Sequence, residues 1–297
     1  ADSLTRNYGD ANPDYTVSYI GFKNGESYGG NVVSGVPAFT TAAVPTSGVG
    51  TYSLAVAQGT LSARNYDFAF VNAGIKVLKS LLRVTANNRT REYGLANPSF
   101  SISFNGMDYK NGESFASIGL TGSPTYLTDA DEFSPVGDYT IIPSKGTMSA
   151  PNYDFQFVNG KLTVTKATLT VRAVDTTRYY GFDNPVFRAA FSGFRNSEDF
   201  GSSGIVGYPS LTVAADANTP IGTIPIVAAV GNNFSSRNYQ FQFQNGTMSI
   251  LKAVLTVKPN RLEKFYGDPR PDLTYTITGF RPGESFGGGI ASGAPVL

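Results

Sequence analysis

The chain has 297 residues, is 41% hydrophobic and 15% charged, and sets 23 basic against 22 acidic side chains for a net charge of +1. It holds no His, Cys or Trp, which excludes a Ser-His-Asp triad, a Cys-His dyad, a thiolate zinc site and a disulfide framework. The balanced charge lacks the basic footprint of a nucleic-acid binder, and no apolar run reaches the 18 residues of a membrane-spanning helix.

In chain order the first landmark is Tyr8-Gly9, and the pair returns at Tyr93-Gly94, Tyr180-Gly181 and Tyr266-Gly267, at spacings of 85, 87 and 86 residues. Proline follows at Pro13, Pro98, Pro185 and Pro271, and a turn then closes on Glu26, Glu113, Glu198 and Glu284. Toward the ends of the units stand Asn65-Tyr66-Asp67-Phe68, Asn152-Tyr153-Asp154-Phe155 and Asn238-Tyr239-Gln240-Phe241. Solenoid repeats run about 20–50 residues, so this longer period suits a small self-sufficient domain. The sequence divides into unit 1 (1–79, lacking its first strand), unit 2 (80–166), unit 3 (167–252) and an incomplete unit 4 (253–297).

Inside a unit the hydrophobic period is two. Unit 2 opens on Leu82-Arg83-Val84-Thr85-Ala86, then alternates again in Phe100–Phe104, Asp138–Ile141 and Tyr153–Phe157. Asn159-Gly160 before Lys161-Leu162-Thr163-Val164-Thr165 predicts a tight hairpin, with positive φ at both turn residues. Six or seven short strands per unit predict an all-β chain of tandem small antiparallel β-sandwiches of immunoglobulin-like kind. A β-grasp unit with one short helix over 113–119 is the alternative. Linkers of about two residues at Lys79, Lys166-Ala167 and Lys252-Ala253 predict units set end to end in a stiff rod beyond ~100 Å.

These motifs resemble the MBG repeat of bacterial surface proteins, the type named for its Tyr-Gly signature. The resemblance rests on Tyr8-Gly9-Asp10-Ala11-Asn12-Pro13, Gly21-Phe22-Lys23-Asn24-Gly25-Glu26, Pro135-Val136-Gly137-Asp138-Tyr139 and the run from Asn152 to Lys166. It covers essentially the whole chain, departing at Arg270, Ser197 and Met107. It implies a secreted, surface-exposed stalk or fibre without catalysis, of the kind found in large tandem-repeat adhesins and filamentous-haemagglutinin-like proteins. The family brings no established ligand residues.

Several residues are candidates for more than scaffolding. A basic residue two before each signature Tyr (Arg6, Arg91, Arg178, Lys264) and the recurring glutamate suggest one ion pair per unit, and its recurrence marks it as scaffold. Asp129, Asp131 and Glu132 have the alternating spacing of a calcium loop. The other units do not repeat them, which favours a solvated loop. Specificity belongs where units differ, at 29–50, 115–137 and 200–222; there Tyr126, Phe133 and Tyr208 either stack on sugar rings or close the sandwich.

The expected function is therefore a non-catalytic, extracellular structural or adhesive module of a bacterial surface fibre or matrix, with a carbohydrate-binding array as the alternative. No cofactor, metal, nucleic acid or membrane insertion is expected. The expected partners are further repeats or copies of the same chain, and glycans or a host surface. The incomplete ends, units 1 and 4, are expected to be ordered by strand addition from a neighbouring copy.

Overall fold

An alternating sequence becomes a strand only when a neighbour takes up its backbone hydrogen bonds, and the fold follows from which segments find one. The computed structural model describes residues 1–29, 31–287 and 291–296. Gly30, inside the variable stretch 29–50, and Leu297 lie outside the described residues. The chain divides into two compact units, Ala1–Thr165 and Lys166–Leu297, the first holding repeats 1 and 2 and the second repeats 3 and 4.

Repeat 1 contains β1 (Leu4–Asn7), β2 (Val33–Ser34), β3 (Ala38–Thr41), β4 (Gly50–Ala57), β5 (Ser62–Ala63) and β6 (Ala73–Leu78). Repeat 2 contains β7 (Ser80–Ala86), β8 (Arg89–Glu92), β9 (Ile102–Phe104), β10 (Thr125–Leu127), β11 (Gly137–Ser144), β12 (Tyr153–Val158) and β13 (Gly160–Thr165). Repeat 3 follows with β14 (Ala167–Ala173), β15 (Thr176–Tyr179), β16 (Ala189–Ser192), β17 (Ser210–Val213), β18 (Gly222–Ala229), β19 (Tyr239–Gln244) and β20 (Gly246–Leu251). Repeat 4 has β21 (Thr256–Pro259) and β22 (Tyr275–Thr278), paired antiparallel.

Each complete repeat is a sandwich of a three-stranded and a four-stranded sheet. Repeat 2 orders them β12-β7-β9 and β10-β11-β13-β8; repeat 3 orders them β16-β14-β19 and β15-β20-β18-β17. The predicted alternation sets the faces: Leu82, Val84 and Ala86 of β7 are buried, as are Leu162 and Val164 of β13. Between the sheets of repeat 2, Ala86 meets Ile141 and Leu162, with Phe100, Tyr126 and Tyr139 around them. In repeat 3, Ala173 meets Ile226, Met248 and Ile250 in the same way. Burying a Leu, Ile or Met side chain contributes roughly 1.5–3 kcal/mol, which stabilises these small domains without Trp or disulfides.

The all-β sandwich expected from the sequence is present, with two differences. Its pairing is mixed: the first strands lie parallel to the last, β7 beside β12 and β8 beside β13, while the remaining pairs of repeat 2 are antiparallel. The Asn159-Gly160 hairpin does not form. Neither residue takes positive φ, and β12 and β13 belong to different sheets. Gly160 serves close approach instead, because a Cβ there would overlap the carbonyl oxygen of Ala86. Gly246 stands in the same relation to Ala173. No α-helix occurs among the described residues, and 113–119 forms turns rather than the short helix of a β-grasp unit.

Among the described residues, repeat 1 forms a four-stranded sheet, β1-β6-β4-β3, and a small β2-β5 pair. Two repeat boundaries are tight: a single residue, Lys79, separates β6 from β7, and Lys166 separates β13 from β14. Residues 252–255 separate β20 from β21, more than the two-residue linker expected at Lys252-Ala253.

Candidate functional site

The Tyr-Gly signature sits directly after the first strand of the four-stranded sheet. Tyr8 N donates to Leu78 O at 2.8 Å, Asp10 N donates to Asn7 O at 3.2 Å, and Gly9 takes φ +85°. Only glycine adopts that conformation at no steric cost. Beneath the turn Arg6 is buried, donating to Asn12 Oδ1 (2.7 Å), Asn7 O (3.1 Å) and Val44 O. Asn12 in turn donates to Ala43 O at 2.7 Å. Arg91 makes the same set with Asn97, Glu92 O and Asp131 O, and Arg178 with Asn184, Tyr179 O and Asp216 O.

The predicted Arg–Glu ion pair is thus replaced by two separate devices. The guanidinium ties a distant loop to the turn through neutral oxygens, and the glutamate accepts tyrosine hydroxyls. Glu26 accepts from Tyr66, Glu113 from Tyr153, and Glu198 from Tyr239. Each of these hydroxyls also accepts a backbone N–H from the glutamate's own turn: Lys23, Lys110 and Arg195, at 3.0, 2.9 and 2.8 Å. The signal was in the sequence, since these Glu and Tyr recur at separations of 40, 40 and 41 residues.

In the first unit the other oxygen of Glu113 receives the signature tyrosine of the preceding repeat: Tyr8 OH donates to Oε1 at 2.7 Å. The Tyr8 ring stands edge-on to Tyr153, centroids 5.7 Å apart and planes at 80°. It is 4% exposed, packed among Val77 of its own repeat and Leu82, Ile118 and Ala150 of the next. Lys110 lays its stem over Gly9, where any side chain would collide with it, and its Nζ lies 3.4 Å from Asp10. Ser80 Oγ donates to Tyr8 O, and Val49 N donates to Asn152 Oδ1 at 3.1 Å.

The second unit builds the same joint from different residues. Tyr180 OH donates to Glu284 Oε1 at 2.8 Å, and the Arg281 guanidinium carbon lies 5.2 Å from the Tyr180 ring centroid. Arg281 occupies the space over Gly181 that Lys110 occupies over Gly9, and its Nη2 donates to Asn218 Oδ1 at 2.7 Å. A signature Tyr-Gly thus serves as a plug for the next repeat, once in each unit. Burial, then the bond to Glu113, holds the hydroxyls of Tyr8 and Tyr153 above the ordinary tyrosine range.

The first three Tyr-Gly pairs each lie in a segment that matches one family. Residues 1–75, 82–163 and 169–249 each match the MBG domain (YGX type). The chain belongs to that family. No curated protein matches it. Among solved structures, the I9-I11 tandem of titin is similar at 12% identity and TM-score 0.23, over 84% of this chain and 97% of that one. SGBP-B of the Bacteroides ovatus mixed-linkage glucan utilization locus, in complex with a mixed-linkage heptasaccharide, is similar at 12% identity and TM-score 0.16, over 75% and 59%. Sidekick-1 immunoglobulin domains 1–4 stand at 11% and 0.16, over 77% and 66%. Overlap at these TM-scores is too small to relate the MBG chain to any of the three.

The remaining candidates do not assemble into one site. Tyr93 is buried and its N–H donates to Thr165 O at 2.9 Å, whereas Tyr266 in repeat 4 is fully exposed. Asp131 uses its carboxylate to cap its own turn, accepting from Ser134 Oγ (2.9 Å), which does most to hold it below the usual carboxylate range, and from Phe133 N (3.1 Å). Among the described residues no group of three or more His, Cys, Asp or Glu is placed to hold a metal ion. Of the three aromatics, Tyr126 is half-buried against Phe100 in the core, so it closes the sandwich. Phe133 and Tyr208 are exposed. Tyr208 stacks on Phe200 (5.5 Å, 23°) at a groove of about 450 Å³ shared with Phe191 and Leu211.

Proposed function

We propose that this MBG chain is a non-catalytic structural segment of a secreted bacterial surface stalk, in which a Tyr-Gly plug locks the two repeats of each compact unit together. The observation that carries the reading is the joint itself, Tyr8 on Glu113 in one unit and Tyr180 on Glu284 in the other. In the first unit the buried Tyr8 plug and the one-residue linker at Lys79 remove the freedom that a flexible string would keep. The partners on this reading are further repeats or copies of the same chain, and the cell exterior is where such a stalk works. The absence of His and Cys and the near-zero net charge agree with a scaffold rather than a catalyst or a nucleic-acid binder.

Small-angle scattering of the full chain tests the stalk: an elongated particle beyond ~100 Å is expected, and the radius of one globular 297-residue domain overturns it. Sedimentation tests self-association, with reversible oligomers expected and a concentration-independent monomer against it. The exposed Tyr208, stacked on the half-buried Phe200, favours a second reading, an adhesive array whose variable stretches stack on sugar rings. A glycan array screened with the full chain and with Tyr208→Ala tests it. Binding lost in the variant supports the array, and no binding by either removes it.

A further inference from the structure

The first and last segments of each complete repeat run side by side along its whole length. In repeat 2 the partners in β7 and β12 differ in number by 73, from Ser80 with Tyr153 to Thr85 with Val158. The same difference relates β8 to β13, from Arg89 with Leu162 to Glu92 with Thr165. The register therefore passes unbroken through the switch from one sheet to the other. Lys161 N bridges the switch by donating to Asn88 Oδ1 at 2.8 Å, and Gly160 lies flush against the Ala86 carbonyl. Repeat 3 shows the same arrangement at a difference of 72, from Ala167 with Tyr239 to Tyr179 with Leu251. Its switch is bridged by Thr247 N on Asp175 Oδ1 at 2.8 Å.

Both ladders are parallel, and that decides how they meet tension. A chain pulled at its ends holds repeat 2 at Ser80 and at Thr165. With parallel strands these points lie at opposite ends of the shared ladder, so one segment is dragged lengthwise along the other. Antiparallel terminal strands would place both points at one end and open pair by pair. In the sliding geometry the six pairs of the first sheet and the four of the second share the load and yield together. We infer that each complete repeat is a force-bearing clamp, whose first and last segments are registered to carry tension along the chain.

The inference deepens the stalk reading without depending on its scattering result. Forced unfolding is governed by the barrier along the pulled direction, so single-molecule pulling in two directions tests it. The chain has no cysteine, which leaves handles free to be placed. Pulled by its two ends, the full chain should show two high-force events, each releasing roughly 300 Å of contour for about 86 residues. Handles at Leu95→Cys and Lys166→Cys, both exposed and both just past the ends of β8 and β13, peel the same ladder from one end. Phe182→Cys with Lys252→Cys does so in repeat 3, should the first pair disturb folding. Several-fold lower force from the same-end handles is expected. Equal force in both directions overturns the clamp, even for a chain that scattering shows to be elongated. A strong difference in a compact chain would keep the clamp and remove the stalk.

Discussion

The segments Asn65–Val71 and Asn152–Val158 differ at one position, Ala69 against Gln156, yet only the second contains a strand. Tyr153 to Val158 lies parallel to β7 and its tyrosine is fully buried. Among the described residues no strand pairs with Tyr66 to Val71, which form no strand themselves, and Val71 is 74% exposed. Both tyrosines nonetheless find their glutamate. The contrast separates two layers of the design. The Tyr–Glu bond closes on a turn 40 residues away within the repeat, whereas the strand exists only through its partner.

The sharpest way to press this comparison is to truncate the two tyrosines. Tyr153→Ala should destabilise repeat 2 by ~3–5 kcal/mol, read from the denaturant midpoint of the full chain, while Tyr66→Ala should shift it far less. Equal shifts would mean that the ladder adds nothing to the burial of Tyr153. Next in size is Phe155→Ala. Phe155 is half-buried against the core around Leu82, and about 2–3 kcal/mol is expected for it, against less than ~0.5 for its exposed neighbour in Gln156→Ala. Similar values for the two would reverse the facing of β12.

Tyr8→Phe asks about the joint instead of the strand. It removes one hydrogen bond to a carboxylate, and a cost of ~1.5–3 kcal/mol should appear as looser coupling between the unfolding of repeats 1 and 2. A repeat 1 that unfolds independently in the unmodified chain would refute the joint. The smallest effect is one of pH. The hydroxyls of Tyr8 and Tyr153 are held protonated in the folded chain. Their contribution is complete below the unfolded tyrosine value near pH 10 and is lost as pH rises from there through the folded values. The denaturant midpoint should therefore stay level to about pH 9.5 and fall above pH 10, with a shallower fall for Tyr8→Phe. An identical fall in both would exclude Tyr8.

Much of this molecule is legible in its amino-acid sequence. The four Tyr-Gly pairs set the period, and the alternation of Leu82, Val84 and Ala86 sets the strands and their inward faces, because both are local consequences of backbone sterics and the pleat. Positive φ at Gly9 and Gly181 belongs to the same class. What lies beyond the sequence is partnership. Asn159-Gly160 has the composition of a hairpin turn, and only the nearness of the Ala86 carbonyl shows that its glycine serves a crossing between sheets. Arg6 and Glu113 are opposite charges in a fixed pattern, yet one is saturated by an asparagine and loop carbonyls and the other by two tyrosines. Alternation states which side of a strand is apolar; whether its neighbour runs parallel or antiparallel depends on residues 73 positions away, and chain folding alone brings them together.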